Sequence, residues 1–204
     1  ARKLRTMHFV QFTLNPPASV VAAAFGSFSA GRAQEVVVAR QGGALELLRP
    51  DEATGRLATV ASTATFSCVR ALCAVRPTGA ATDDVAIASD AGTLTVLRFD
   101  AARGAWTRIH CETFGKTGCR RAVPGQYLAA DPRGRAVMVA AVERTKLVYT
   151  LNRDAAGAPT ISSPLEAHKA RCVVFDVVAL DVGFDNPCFA ALELRLRCVA
   201  GAGR

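Results

Sequence analysis

At 204 residues, 50% hydrophobic and 21% charged, the chain is long enough for one domain with a sizeable core and too apolar for a disordered class. No window reaches the roughly 18 uninterrupted apolar residues of a helical membrane span. The opening Ala1-Arg2-Lys3-Leu4-Arg5-Thr6 also lacks a signal-like apolar stretch, so the expectation is a soluble intracellular protein with no membrane partner. The net charge of +8 raises nucleic acid as a partner, but six of the cations are Arg2, Lys3, Arg5, Arg195, Arg197 and Arg204 at the two ends. Between Met7 and Glu193 both signs are interspersed as on an ordinary solvated surface, which makes net charge weak evidence for nucleic acid.

The first clear strand signals are Glu35-Val36-Val37-Val38-Ala39-Arg40, a turn at Gly42-Gly43, Leu45-Glu46-Leu47-Leu48-Arg49 and a loop from Asp51 to Gly55. The pattern returns 49 residues later without a gap as Asp84-Val85-Ala86-Ile87-Ala88-Ser89, a turn at Gly92, Leu94-Thr95-Val96-Leu97-Arg98 and Asp100 to Gly104. Nine of the 23 positions from Glu35 to Leu57 are identical in the copy. A looser third unit runs Ala136-Val137-Met138-Val139, Leu147-Val148-Tyr149 and Asn152 to Gly157. Phe66 to Val75 and Arg171 to Val182 fall between the copies and supply further strands.

A period of about 40 to 50 residues made only of strand signals marks a propeller blade, one four-stranded sheet per repeat. Helical repeats would need 3.6-residue periodicity over ten or more positions, and these runs are too short and too often cut by Gly or Pro. The predicted fold is all-β, a partial β-propeller of the WD40-like kind holding about four blades of a larger ring. Val36 and Val38 alternate with Val37, and Val85 and Ile87 with Ala86, so these strands are predicted to be buried on both faces between stacked blades.

Catalytic and metal chemistry is thinly represented. The seven cysteines, Cys68, Cys73, Cys111, Cys119, Cys172, Cys188 and Cys198, form no CxxC pair, and their apolar neighbours predict buried, reduced structural thiols rather than ligands. His8, His110 and His168 have no HxxxH spacing and no evident Ser or Cys partner, and His110 reads as a hydrogen-bonded strand residue. Gly115-Lys116-Thr117 resembles the end of a phosphate-binding loop, but His110 stands where its first Gly is needed and no helix signal follows. Lys116, Arg120 and Arg121 form the candidate partner-contact loop, able to meet phosphate or an acidic surface. Only Phe114 is near them, so a solvated or intramolecular role is the stronger reading for that cluster. No catalytic residue, cofactor, metal or small-molecule substrate is expected.

Four longer motifs carry a specific resemblance: Glu112-Thr113-Phe114-Gly115-Lys116-Thr117-Gly118-Cys119-Arg120-Arg121-Ala122-Val123-Pro124-Gly125-Gln126, Leu151-Asn152-Arg153-Asp154-Ala155-Ala156, Ser162-Ser163-Pro164-Leu165-Glu166-Ala167-His168-Lys169, and Val182-Gly183-Phe184-Asp185-Asn186-Pro187. In these the chain resembles the splicing factor 3B subunit 3 family, collinearly from Met7 to about Glu193. Asp131-Pro132-Arg133-Gly134-Arg135 and the blade pattern resemble a wider group that includes the large subunits of the cleavage and polyadenylation factor and of the damaged-DNA-binding complex. The resemblance implies that residues 7–193 are the amino-terminal part of a first propeller, with 1–6 an unmatched leader and 194–204 an unmatched tail. It implies a nuclear, non-catalytic scaffold of the SF3b complex in the U2 small nuclear ribonucleoprotein, acting at the pre-mRNA branch site. Its partners would be the HEAT-repeat and small SF3b subunits, with RNA met mostly indirectly. A propeller adaptor in damaged-DNA binding and ubiquitin ligation, or in 3'-end processing, is the alternative.

Overall fold

The computed structural model describes residues 18–114, 127–140, 143–155, 159–181 and 183–195. Every regular element among them is a β-strand, and every pairing is antiparallel. The first blade is β1 (Val20–Gly26), β2 (Glu35–Arg40), β3 (Ala44–Asp51) and β4 (Arg56–Ala64), paired in that order. The second repeats it with β5 (Val69–Val75), β6 (Asp84–Ser89), β7 (Thr93–Asp100) and β8 (Ala105–Thr113).

A third sheet holds β9 (Tyr127–Ala130), β10 (Ala136–Ala140), β11 (Glu143–Arg153), β12 (Pro159–Ile161), β13 (Leu165–Leu180) and β14 (Cys188–Arg195). The long β13 serves two blades. Leu165 to His168 pair with β11 and close the third blade, whereas Cys172 to Leu180 pair with β14 and open a fourth. The about four blades expected are thus three complete sheets and the first two strands of another. Strands β1, β5, β9 and β13 neighbour one another in that order, as the innermost strands of successive blades do.

The sequence repeat reaches fine geometry. Bulges leave Val21 and Arg70 unpaired in β1 and β5, and Val60 and Ile109 in β4 and β8, so each irregularity recurs at the 49-residue spacing of the repeat. Asp51 Oδ1 accepts from Ala53 N at 3.0 Å, and Asp100 Oδ1 from Ala102 N at 3.0 Å, closing matching turns between third and fourth strands. Each turn ends on a left-handed glycine, Gly55 or Gly104, where a side chain would be strained.

Burial follows the predicted two-sided pattern. Val37, Ala39, Leu45 and Leu47 of the first blade pack against Val69, Leu72, Val85, Ile87, Leu97 and Phe99 of the second, joined by Phe28 and Trp106. Ala86, on the opposite face of β6, joins Val75, Leu94 and Val96 against Val137, Val139, Leu147 and Tyr149 of the third. Met138 and Ala140 then face Val174 and Val177 of the fourth. Trp106 meets Phe28 and Phe99 edge-on at 6.1 and 5.4 Å, wedged between the first two blades.

Candidate partner-contact surface

A blade has two working ends, because its sheet faces are spent on its neighbours. At one end lie the loops between first and second strands of each blade, and here buried acids staple the blades together. Glu35, with a fully buried carboxylate, accepts from Phe28 N, Ser29 N and the Arg49 guanidinium. Burial alone would raise that carboxyl, but the hydrogen bonds from Ser29, Arg49 and Phe28 outweigh it and hold it below its ordinary range. Asp84 takes both Nε and Nη2 of Arg98 at 2.8 Å, the same pair one repeat on.

The next contacts cross between blades. Asp83 receives Arg76 Nε at 2.6 Å and Ser27 N at 2.7 Å, tying the second blade to the first. Thr78 Oγ1 donates to Arg133 O, and Arg153 Nε donates to Thr78 O, tying the second blade to the third. A Cβ on Gly134 would lie 1.6 Å from Arg76 O, so only glycine permits this approach, and its φ of 69° agrees. Asp131 holds Arg135 through Nε and Nη2 while Arg135 Nη1 donates to Phe184 O and Asp185 O of the fourth blade. That Arg135 pairing holds the Asp131 carboxyl below its ordinary value. Glu35, Asp83, Asp84 and Asp131 are thus each paired with an arginine of the same chain.

At the other end lie the turns between second and third strands and the connections from one blade to the next. Thr65 N donates to Gly43 O at 2.8 Å, and 49 residues on Phe114 N donates to Gly92 O at 2.8 Å. The candidate loop Lys116, Arg120 and Arg121 belongs in sequence to the connection between β8 and β9 and lies outside the described residues, as do Gly115, Thr117 and Cys119.

The other singled-out groups are dispersed. His110 Nε2 is buried without a hydrogen-bond partner among the described residues, 3.7 Å from Glu112 Oε2, beside a cavity of 20 Å³ shared with Asp84, Asn152 and Thr160. Its expected hydrogen bond is thus missing at that nitrogen, the nearby Glu112 carboxylate standing beyond hydrogen-bond distance. Of the cysteines, Cys172 is buried, and burial pushes the partly covered Cys73 thiol up to about 12. Cys68 and Cys111 are exposed, correcting the expectation of buried thiols: one lies in an interblade connection and the other on an outermost strand. Among the described residues no cluster of three or more His, Cys, Asp or Glu could hold a metal. Sequence reasoning missed the acid–Arg staples, although the 14-residue spacing of Glu35 to Arg49 and Asp84 to Arg98 was their signal.

Repeated antiparallel blades, tied to one another at one end, define a partial β-propeller. The chain belongs to the family described as RSE1/DDB1/CPSF1 first beta-propeller, whose pattern matches residues 19–197. It is 51% identical over 188 residues to "Splicing factor 3B subunit 3" of Drosophila melanogaster, a match covering 92% of this chain and 15% of that protein. It is 52% identical to "Splicing factor 3B subunit 3" of Danio rerio and 48% identical to "Pre-mRNA-splicing factor RSE1" of Mycosarcoma maydis, again over 92% of this chain and 15% of each relative.

Proposed function

We propose that the chain is part of the first propeller of a non-catalytic scaffold that acts in pre-mRNA splicing within the SF3b complex of the U2 small nuclear ribonucleoprotein, in the nucleus. The observation that carries this reading is identity of about half over nearly the whole chain to proteins named as splicing factors. A non-catalytic role is supported by the fate of the acids, since Glu35, Asp83, Asp84 and Asp131 are each occupied by an arginine of the same chain. The HEAT-repeat and small subunits of SF3b are the protein partners, RNA is met mostly indirectly, and Lys116, Arg120 and Arg121 supply one contact to an acidic partner surface.

Purification of the protein, tagged at its own gene, tests the reading. SF3b subunits and U2 RNA are the expected companions. Recovery of ubiquitin-ligase or polyadenylation subunits in their place would overturn it.

A further inference from the structure

The connection between β4 and β5 is built to a rule that recurs. Phe66 has φ of 56° and stands four residues before the bulged Arg70. Arg171 has φ of 59° and stands four residues before the bulged position Phe175, where the third blade passes into the fourth. The crossing therefore demands a left-handed residue, a conformation that costs any L-residue with a Cβ and costs glycine nothing. One repeat after Phe66 the sequence has Gly115, so glycine is within this chain's own repertoire at that position. A phenylalanine there is the expensive choice.

Nothing in the described chain repays the cost. Phe66 is 96% exposed, the most exposed large apolar side chain among the described residues. The backbone beneath it is fixed: Thr65 N and Oγ1 both lie 2.8 Å from Gly43 O, and Cys68 N donates to Asp90 Oδ1 while Asp90 N donates to Cys68 O, each at 3.0 Å. Gly43 packs so closely that a Cβ there would sit 2.5 Å from Ser67 O. The ring is thus displayed on a rigid mount, with little ordering entropy left to lose on binding. Its position also removes it from ring closure, because neighbouring blades cover sheet faces, whereas this connection lies at the ends of the strands.

We propose that Phe66 is an anchor residue that inserts into an apolar pocket of a sister protein subunit. The proposal rests on the splicing-scaffold reading above for the identity of that assembly. A protein pocket suits the ring better than a nucleic-acid base does. Its neighbours Thr65, Ser67 and Cys68 are neutral, and the residue bonded across to the mount is the exposed acid Asp90, which repels phosphate. Rigid aromatics of this kind dominate protein interfaces through the area they bury.

Two variants of the protein expressed from its own gene test this. With a photoreactive benzoylphenylalanine at position 66, irradiation of the assembled particle is expected to cross-link one protein subunit. Cross-links confined to RNA or to the same chain overturn the anchor. Phe66→Gly removes the ring and relieves the backbone, so the melting temperature is expected to hold or rise while affinity for the cross-linked subunit falls about tenfold or more. Retention of that subunit at unchanged affinity also overturns it. If the unsubstituted protein purified without splicing subunits, the functional reading would fall, whereas loss of the cross-link from a particle that otherwise assembles removes the Phe66 anchor alone.

Discussion

Strands β6 and β14 are apolar strands in antiparallel sheets with opposite surroundings. In β6 all of Asp84 to Ser89 are buried; in β14 no residue is, and Leu192 and Leu194 are 66% and 53% exposed. The difference lies in what stands beside them. Strand β6 has β5 and β7 as partners and a blade against each face, while β14 pairs among the described residues only with β13 and is packed on one face. Blade stability is therefore a property of stacking, and the same kind of strand is core or surface according to whether a neighbour covers it.

The largest effect that would break this comparison is at Ile87, 2% exposed between the first two blades. Ile87→Asp places an unpaired charge against Leu45, Leu47 and Leu97 and is expected to cost about 3–5 kcal/mol, read from the denaturant midpoint of the intact propeller. A loss below about 1 kcal/mol would mean that the blades do not stack as described.

Glu35 probes the acid–arginine ties that fix the strands and the leading loop within one blade. Glu35→Gln keeps the shape but removes the charge facing Arg49, and an expected loss of about 1.5 kcal/mol sits at the low end for a charged hydrogen bond because Arg49 is 45% exposed. Its folded carboxyl lies below the ordinary value of 4.5, so its contribution is full above that pH and is lost as pH falls through the folded value. Acid titration of stability should therefore be shallower in Glu35→Gln than in the parent. Equal slopes would show that the carboxylate is not held in its charged form by the fold.

Much of this architecture is legible in the sequence because the first two blades repeat at one ungapped 49-residue spacing. Ala39, Leu45 and Leu48 recur as Ala88, Leu94 and Leu97 with their turn residues, and all six are buried. The third blade is harder to read, since Ala136 pairs with Thr150 where the earlier blades place an acid and an arginine, and Asp131 with Arg135 carries the tie instead. The bulges were not legible, because Val21, Arg70, Val60 and Ile109 share position but not residue type. Nor was the exposure of Phe66, which alternation alone would assign to a core. Its left-handed φ follows from how one blade hands over to the next, and no local pattern announces that.

The smallest stability effect, and the sharpest contrast with Ile87, is expected at Leu192. This side chain shares a sheet face with Val178 and Leu180, which are 52% and 37% exposed, and no described element covers that face. An uncovered apolar sheet face beside an edge strand favours self-association by stacking or edge pairing. The 204-residue chain is therefore expected to bind hydrophobic dyes and to sediment as more than a monomer. Leu192→Asp buries no charge but sets a carboxylate opposite Asp176, so stability should fall by no more than about 1 kcal/mol, while the like charge introduced on every copy should shift the chain toward monomer and reduce dye binding. A large loss of stability would show Leu192 to be packed after all. Unchanged association with stability intact would place the sticky surface elsewhere, the exposed β1 side chains Val20 and Phe25 being next in line.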